Sequence, residues 1–196
     1  MAIAAEYPLE VGVDAPLEVA RWRPIVQWLL AIPHVIVLSF LQIVAGIFWY
    51  ISFFAILFTG RLPDWVLGFQ AMEFRYNWRV NSYISFLREP YPPFAYEMTE
   101  ADPGDDPATL RLEDPGALSR WKIFLKWLFA IPHFIVLLFL AIAASVVLLI
   151  AWFAVIITGR WPEGLRTFYI GYYRWLYRVL AYVYLLTDVY PPFRLT

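Results

Sequence analysis

The chain has 196 residues, 62% of them apolar or aromatic and 16% charged, with a mean hydropathy of +0.61. A soluble domain of this length holds roughly 45–50% apolar and about 25% charged residues, and small domains leave much of their surface in water, so the excess belongs in lipid. A net charge of −1 excludes a basic nucleic-acid footprint, and the lack of cysteine excludes disulfides, thiolate nucleophiles and Cys-ligated metals.

Met1–Pro16 has no basic start and alternates in polarity, so a cleaved signal is not expected there. Within it, Leu9–Val13 alternates over five residues and predicts a short strand outside the lipid. A helix is expected over Leu17–Ile32. Its basic residues, Arg21 and Arg23, sit beside Trp22 and ahead of Trp28, a pairing that marks the headgroup zone. Pro33 disfavours helix at Ile32, so this interfacial helix is expected to turn at the proline into the bilayer.

His34–Phe58 is a run of 25 residues without a charge. As a helix it measures roughly 37 Å, enough to cross a hydrocarbon core of ~30 Å. Thr59-Gly60-Arg61 closes it, with Gly60 suited to the left-handed position after a helix and Arg61 to the headgroups. An aromatic helix follows over Trp65–Leu87. It carries Arg75 and Arg79 on one face and Glu73, Asn77 and Asn81 on another, before Tyr91-Pro92-Pro93-Phe94 ends it. Ala95–Thr99 is expected to extend the sheet, and the acidic Glu100–Pro107 reads as a solvated junction.

The whole pattern then returns at an offset of 99. Arg21-Trp22, Ala31-Ile32-Pro33-His34, Thr59-Gly60-Arg61 and the Tyr-Pro-Pro-Phe motif recur at 120, 130, 158 and 190, and residues 21–94 match 120–193 at 32 of 74 positions without a gap. The second copy predicts a strand at Thr109–Glu113, a helix at Ala117–Ile131, a span at Phe134–Ile157 and an aromatic helix at Leu165–Thr187. Arg194–Thr196 is a further candidate strand. The expected fold is therefore an all-α integral membrane protein of two tandem repeats. Each is an interfacial helix plus a transmembrane hairpin, with a small β-sheet at the membrane surface. Residues 1–99 and 109–196 are the repeats and 100–108 the linker.

Whether the aromatic helices cross is a contest between two arguments. An arginine at the bilayer centre costs about 2.5–3.5 kcal/mol, which favours an interfacial helix. Equivalent basic segments in both copies, however, should lie on one side of the membrane. Two crossings per copy achieve this, giving four spans with cytoplasmic termini, and that arrangement is the expected one.

Arg75, Arg79, Arg174 and Arg178, with Glu73, are the candidate lipid- or partner-binding residues, because ionisable groups at membrane depth are functional candidates. Glu73 has Tyr172 as its counterpart, which argues against a symmetric proton relay. His34 and His133 are equivalent and could form a bis-His metal or haem site. A polar residue at a helix start is the stronger reading of each, and no cofactor is expected. No hydrolase, phosphate-loop, zinc-protease or dinucleotide motif occurs.

Taken together, Arg-Trp-x5-Trp-Leu-x-Ala-Ile-Pro-His, Thr-Gly-Arg-x-Pro, Arg-x3-Arg-Val and Tyr-Pro-Pro-Phe resemble the family called domain of unknown function 4389, over Arg21–Phe94 and Arg120–Phe193. The resemblance implies a bacterial membrane protein and brings no reaction, cofactor or binding residue. The function expected from the sequence is a non-enzymatic accessory or scaffold subunit of a larger membrane complex in the inner membrane. Its partners would be lipids, other membrane subunits or a second copy, and not nucleic acid. A small transporter or channel, or a haem- or quinone-binding redox protein, is the alternative.

Overall fold

The computed structural model describes residues 7–99 and 101–196. The opening of the Met1–Pro16 segment and Glu100 of the junction lie outside the described residues. Strand β1 (Leu9–Val13) is followed by helices α1 (Arg23–Leu30), α2 (Ile32–Thr59) and α3 (Asp64–Ile84), then strand β2 (Ala108–Leu112), a single 3₁₀ turn at Lys122–Phe124, and helices α4 (Lys126–Thr158) and α5 (Glu163–Val183).

The two strands expected from alternation pair with each other, antiparallel, with Val11 opposite Leu110. Leu9, Val11, Ala108, Leu110 and Leu112 turn inward and are buried, while Glu10 and Arg111 face out. Because Val11 and Leu110 differ by the repeat offset, the pseudo-twofold axis relating the copies passes through this central pair. Each copy supplies half the sheet.

The expected third and fourth strands do not form. Ala95–Thr99 and Arg194–Thr196 join no ladder, since the sheet has two strands among the described residues. Their carbonyls are engaged elsewhere: Arg75 donates to the Glu97 and Thr99 carbonyls, and Arg178 to that of Thr196. These segments instead run along α3 and α5. A Cβ on Gly68 would meet the Met98 carbonyl oxygen at 2.6 Å, and one on Gly171 would meet that of Leu195 at 2.8 Å, so glycine is what permits the close approach.

Helix ends follow local chemistry. Gly60 and Gly159 close α2 and α4 in the left-handed conformation, at φ 74° and 73°. Pro63 and Pro162 precede α3 and α5 in extended conformation, and Asp64 and Glu163 place a carboxylate in the first turn, where the helix dipole favours it.

The two copies differ at the proline. In the first, α1 ends at Leu30 and Pro33 sits in the opening turn of α2, where its missing N–H costs nothing. The break falls at the single residue Ala31, which keeps helical dihedrals and the hydrogen bonds Ala31 N–H to Gln27 and Val35 N–H to Ala31. In the second, the expected separate helix over Ala117–Ile131 is reduced to the 3₁₀ turn, and α4 runs from Lys126 straight through Pro132.

The layers stack in order. The sheet lies on α3 and α5, which are antiparallel to each other, with Trp78 against Tyr173 and Phe74 against Tyr184. Below them α2 packs on α3, and α4 on α5. Sixteen residues of α3 are buried, against five of the longer α2. The longest, most apolar helices are thus the outermost.

The C-terminal end of each long helix is tied to a segment leading from the sheet. Leu118 N–H donates to the Gly60 carbonyl at the end of α2, and its counterpart Val19 donates to Gly159 at the end of α4. At the start of α2, His34 contacts Tyr76 of α3, next to Arg75, which reaches the Leu110 carbonyl in the sheet.

Candidate functional site

Four of the candidate residues turn out to hold the protein together. Arg75 Nε donates to the Leu110 carbonyl at 3.5 Å, and its counterpart Arg174 donates to Val11 at 2.8 Å, so each arginine holds the central pair of the sheet. Arg79 pairs with Asp102 at 2.9 Å, and Arg75 lies 3.6 Å from the same carboxylate. Asp102 also accepts from Leu110 and Gly104 N–H groups. Asp106 pairs with Arg88 and accepts from the Ala108 N–H.

The acidic junction is therefore not simply solvated. Asp102 and Asp106 are buried counterions, and buried charges require partners of this kind. Sequence reasoning missed Arg88, Asp102 and Asp106. The signal was present: two arginines on a helix otherwise rich in aromatics require carboxylates, and the junction holds the nearest set.

The second copy differs. Arg178 donates to Thr196 and lies over the Tyr7 ring, and no Asp or Glu side chain pairs with Arg174 or Arg178 among the described residues. Both line a polar cavity of about 320 Å³ beside Glu10, Thr109 and Thr196, on the sheet side.

Each histidine is fully buried in an aromatic box built by its own Tyr-Pro-Pro-Phe motif. His34 stacks on Phe94 at 4.1 Å and meets Tyr91 at 4.7 Å; His133 stacks on Phe193 at 3.9 Å and meets Tyr190 at 4.9 Å. His34 Nδ1 shares a 2.6 Å hydrogen bond with Tyr76, and His133 Nδ1 accepts from the Trp175 indole. The two rings are held apart in separate boxes, and no group of three potential metal ligands occurs among the described residues. The motif acts as a clasp. Tyr91 and Tyr190 also donate to the Leu30 and Phe129 carbonyls, locking the entrance of each long helix.

Glu73 is not part of the arginine network. It is 4% exposed, its Oε1 has no hydrogen-bond partner among the described residues, and it lines a cavity of about 340 Å³ with Gln42, Phe74, Asn77, Tyr177, Leu180 and Tyr184.

The long helices expose many large apolar side chains. Trp28, Ile36, Phe40, Ile43, Ile47, Tyr50, Phe54 and Phe58 stand exposed along α1 and α2. Trp127, Ile135, Leu138, Phe139, Ile142, Leu149, Phe153 and Ile157 do the same along α4. Soluble monomers rarely expose contiguous apolar patches beyond a few hundred Å². Helices α2 and α4 are each long and apolar enough to cross a membrane.

Sequence comparison agrees with the repeat. The chain matches the family described as domain of unknown function (DUF4389) twice, over residues 21–95 and 120–194, and belongs to that family as two tandem copies. No curated protein and no solved structure matches it.

Proposed function

We propose that the protein is a non-enzymatic membrane scaffold of the bacterial inner membrane, an accessory subunit that holds a partner against the bilayer. The observation that carries this reading is the apolar, aromatic face of α1, α2 and α4, opposite a charged sheet and junction. Burying such a face in lipid removes it from water at about 25 cal/mol per Å².

The contacts of α3 and α5 favour insertion through α2 and α4 instead of four crossings. The middle of α3 lies under the sheet and the junction carboxylates, and these would enter the hydrocarbon if α3 crossed. With the C-terminal end of each long helix tied to a sheet-side segment, the apolar face enters the membrane from one side. Arg21, Arg23, Arg120, Lys122 and Lys126 then stand on the cytoplasmic side, as the positive-inside rule requires.

The partner's contact is assigned to the sheet side, at Arg174 and Arg178. Their counterparts Arg75 and Arg79 hold an acidic side chain, and a partner carboxylate would complete the second pair in the same way.

Native purification with mass spectrometry tests the scaffold. A co-purifying subunit lost on Arg174→Gln with the thermal melt unchanged supports it, and a strictly monomeric particle counts against it. Cysteines placed at Pro63 and Gly104 should label from the same side of the membrane; labelling from opposite sides restores the four-span arrangement.

A further inference from the structure

The Glu73 cavity stands out because the repeat supplies its own control. Under the pseudo-twofold, Gln42, Glu73, Phe74, Asn77, Tyr177, Leu180 and Tyr184 correspond to Ala141, Tyr172, Tyr173, Leu176, Trp78, Asn81 and Ser85. The mate position is occupied by Trp78, Tyr172 and Tyr173, and the fold forms there without an acid. Nothing in the architecture requires a carboxylate at position 73. A buried carboxylate is costly unless a cation or hydrogen-bond donors compensate it.

Inside the cavity those compensations are incomplete. Asn77 Oδ1 is already taken by the Tyr177 hydroxyl at 2.7 Å and the Asn81 amide at 2.6 Å, so Asn77 has only its amide N–H groups to offer Glu73. No lysine or arginine pairs with Glu73 among the described residues; Arg75 and Arg79 turn to the junction. Three aromatic rings stand by the acid, with Phe74 at 5.7 Å from both Tyr177 and Tyr184. A carboxylate in a cavity lined by aromatic rings can receive an ammonium group by charge, and by cation–π attraction where a ring face is presented. Access is at Gln42, which is exposed on α2 beside Phe40 and Ile43, themselves 67% and 66% exposed on the apolar face.

We propose that this cavity binds the primary ammonium head of an amphiphile entering from the lipid, with its chains left along the α2–α4 face. The entry route rests on the membrane reading above, while the carboxylate and its aromatic wall do not.

Binding is measured on detergent-purified protein by native mass spectrometry, titrating phosphatidylethanolamine against phosphatidylglycerol of the same chains. Free ethanolamine and dodecylamine serve as separate arms. Wild type should retain phosphatidylethanolamine and dodecylamine over phosphatidylglycerol, and Glu73→Gln should weaken them by at least roughly tenfold, as loss of one member of a buried charge pair does. Glu73→Tyr installs the residue the second copy carries at this position and leaves the Asn77 hydrogen bonds to Tyr177 and Asn81 in place; it should abolish binding, with a thermal melt separating loss of the site from loss of the fold. Equal retention of the two lipids, or unchanged binding by Glu73→Gln, overturns the proposal. Binding of ethanolamine as tight as that of the long-chain amines overturns the amphiphile and leaves a soluble amine site. Flotation with phosphatidylglycerol vesicles separates the two readings: a protein that floats but ignores ammonium lipids loses the pocket alone.

Discussion

Asp102 carries more of the fold than any residue expected to. It neutralises two arginines of α3 and accepts from the backbone at the start of β2, joining helix, junction and sheet. Asp102→Asn should lower unfolding stability by about 1–3 kcal/mol, because it removes the carboxylate that two buried guanidinium groups share while Arg79 keeps Asp106 at 3.9 Å; a denaturant melt in mild detergent measures this. Glu73 behaves in the opposite way. Burial pushes its carboxyl up from 4.5 to about 7. The ionised form is therefore disfavoured in the fold, and stability should be full below about pH 4.5 and fall as pH rises through 7, by on the order of 3 kcal/mol in ligand-free protein. In Glu73→Gln that slope should disappear from melts recorded between pH 5 and 8. The sequence marked Glu73 and the four arginines as unusual, but periodicity reports only a residue's own helix. It could not show that Arg79's partner lies 23 residues on, or that Glu73 has no cationic one.

At the scale of elements, the strands at Leu9 and Ala108 and the long helices were readable because alternation, uncharged length and a closing glycine are local properties. What was not readable is which helix lies outermost. Hydropathy alone ranks α3 and α5 as less apolar than α2 and α4, yet the former are the buried ones, since their aromatic and polar side chains find partners in the sheet and the junction. The two prolines separate local from contextual effects. Pro33→Ala should change stability by less than about 0.5 kcal/mol, since a first-turn proline loses no hydrogen bond. Pro132→Ala should stabilise by about 1 kcal/mol, since it restores an N–H inside α4. Paired thermal melts compare them, and equal effects would show that the helix accommodates both prolines alike. Gly68→Ala should lower stability and free the Ala95–Thr99 segment, because its Cβ meets backbone; limited proteolysis after Tyr96 would detect the release.

Across the whole molecule, the layers run from charged sheet through aromatic helices to an apolar outer face, a gradient suited to a boundary between water and lipid. Alkaline carbonate should leave the protein with the membrane while detergent releases it, as expected for a face buried in hydrocarbon. Release by carbonate would argue that the same face is covered by another protein.

The sheet also says something about ancestry. A single copy owns one strand, and its long helix ends against the entry segment of the other copy. A half-length chain would leave that strand and that helix end unmatched, so it should exist only as an obligate homodimer. The present chain has the form of such a dimer fused head to tail. Cut at Gly104 and co-expressed as two polypeptides, it should reassemble, while either half alone should aggregate.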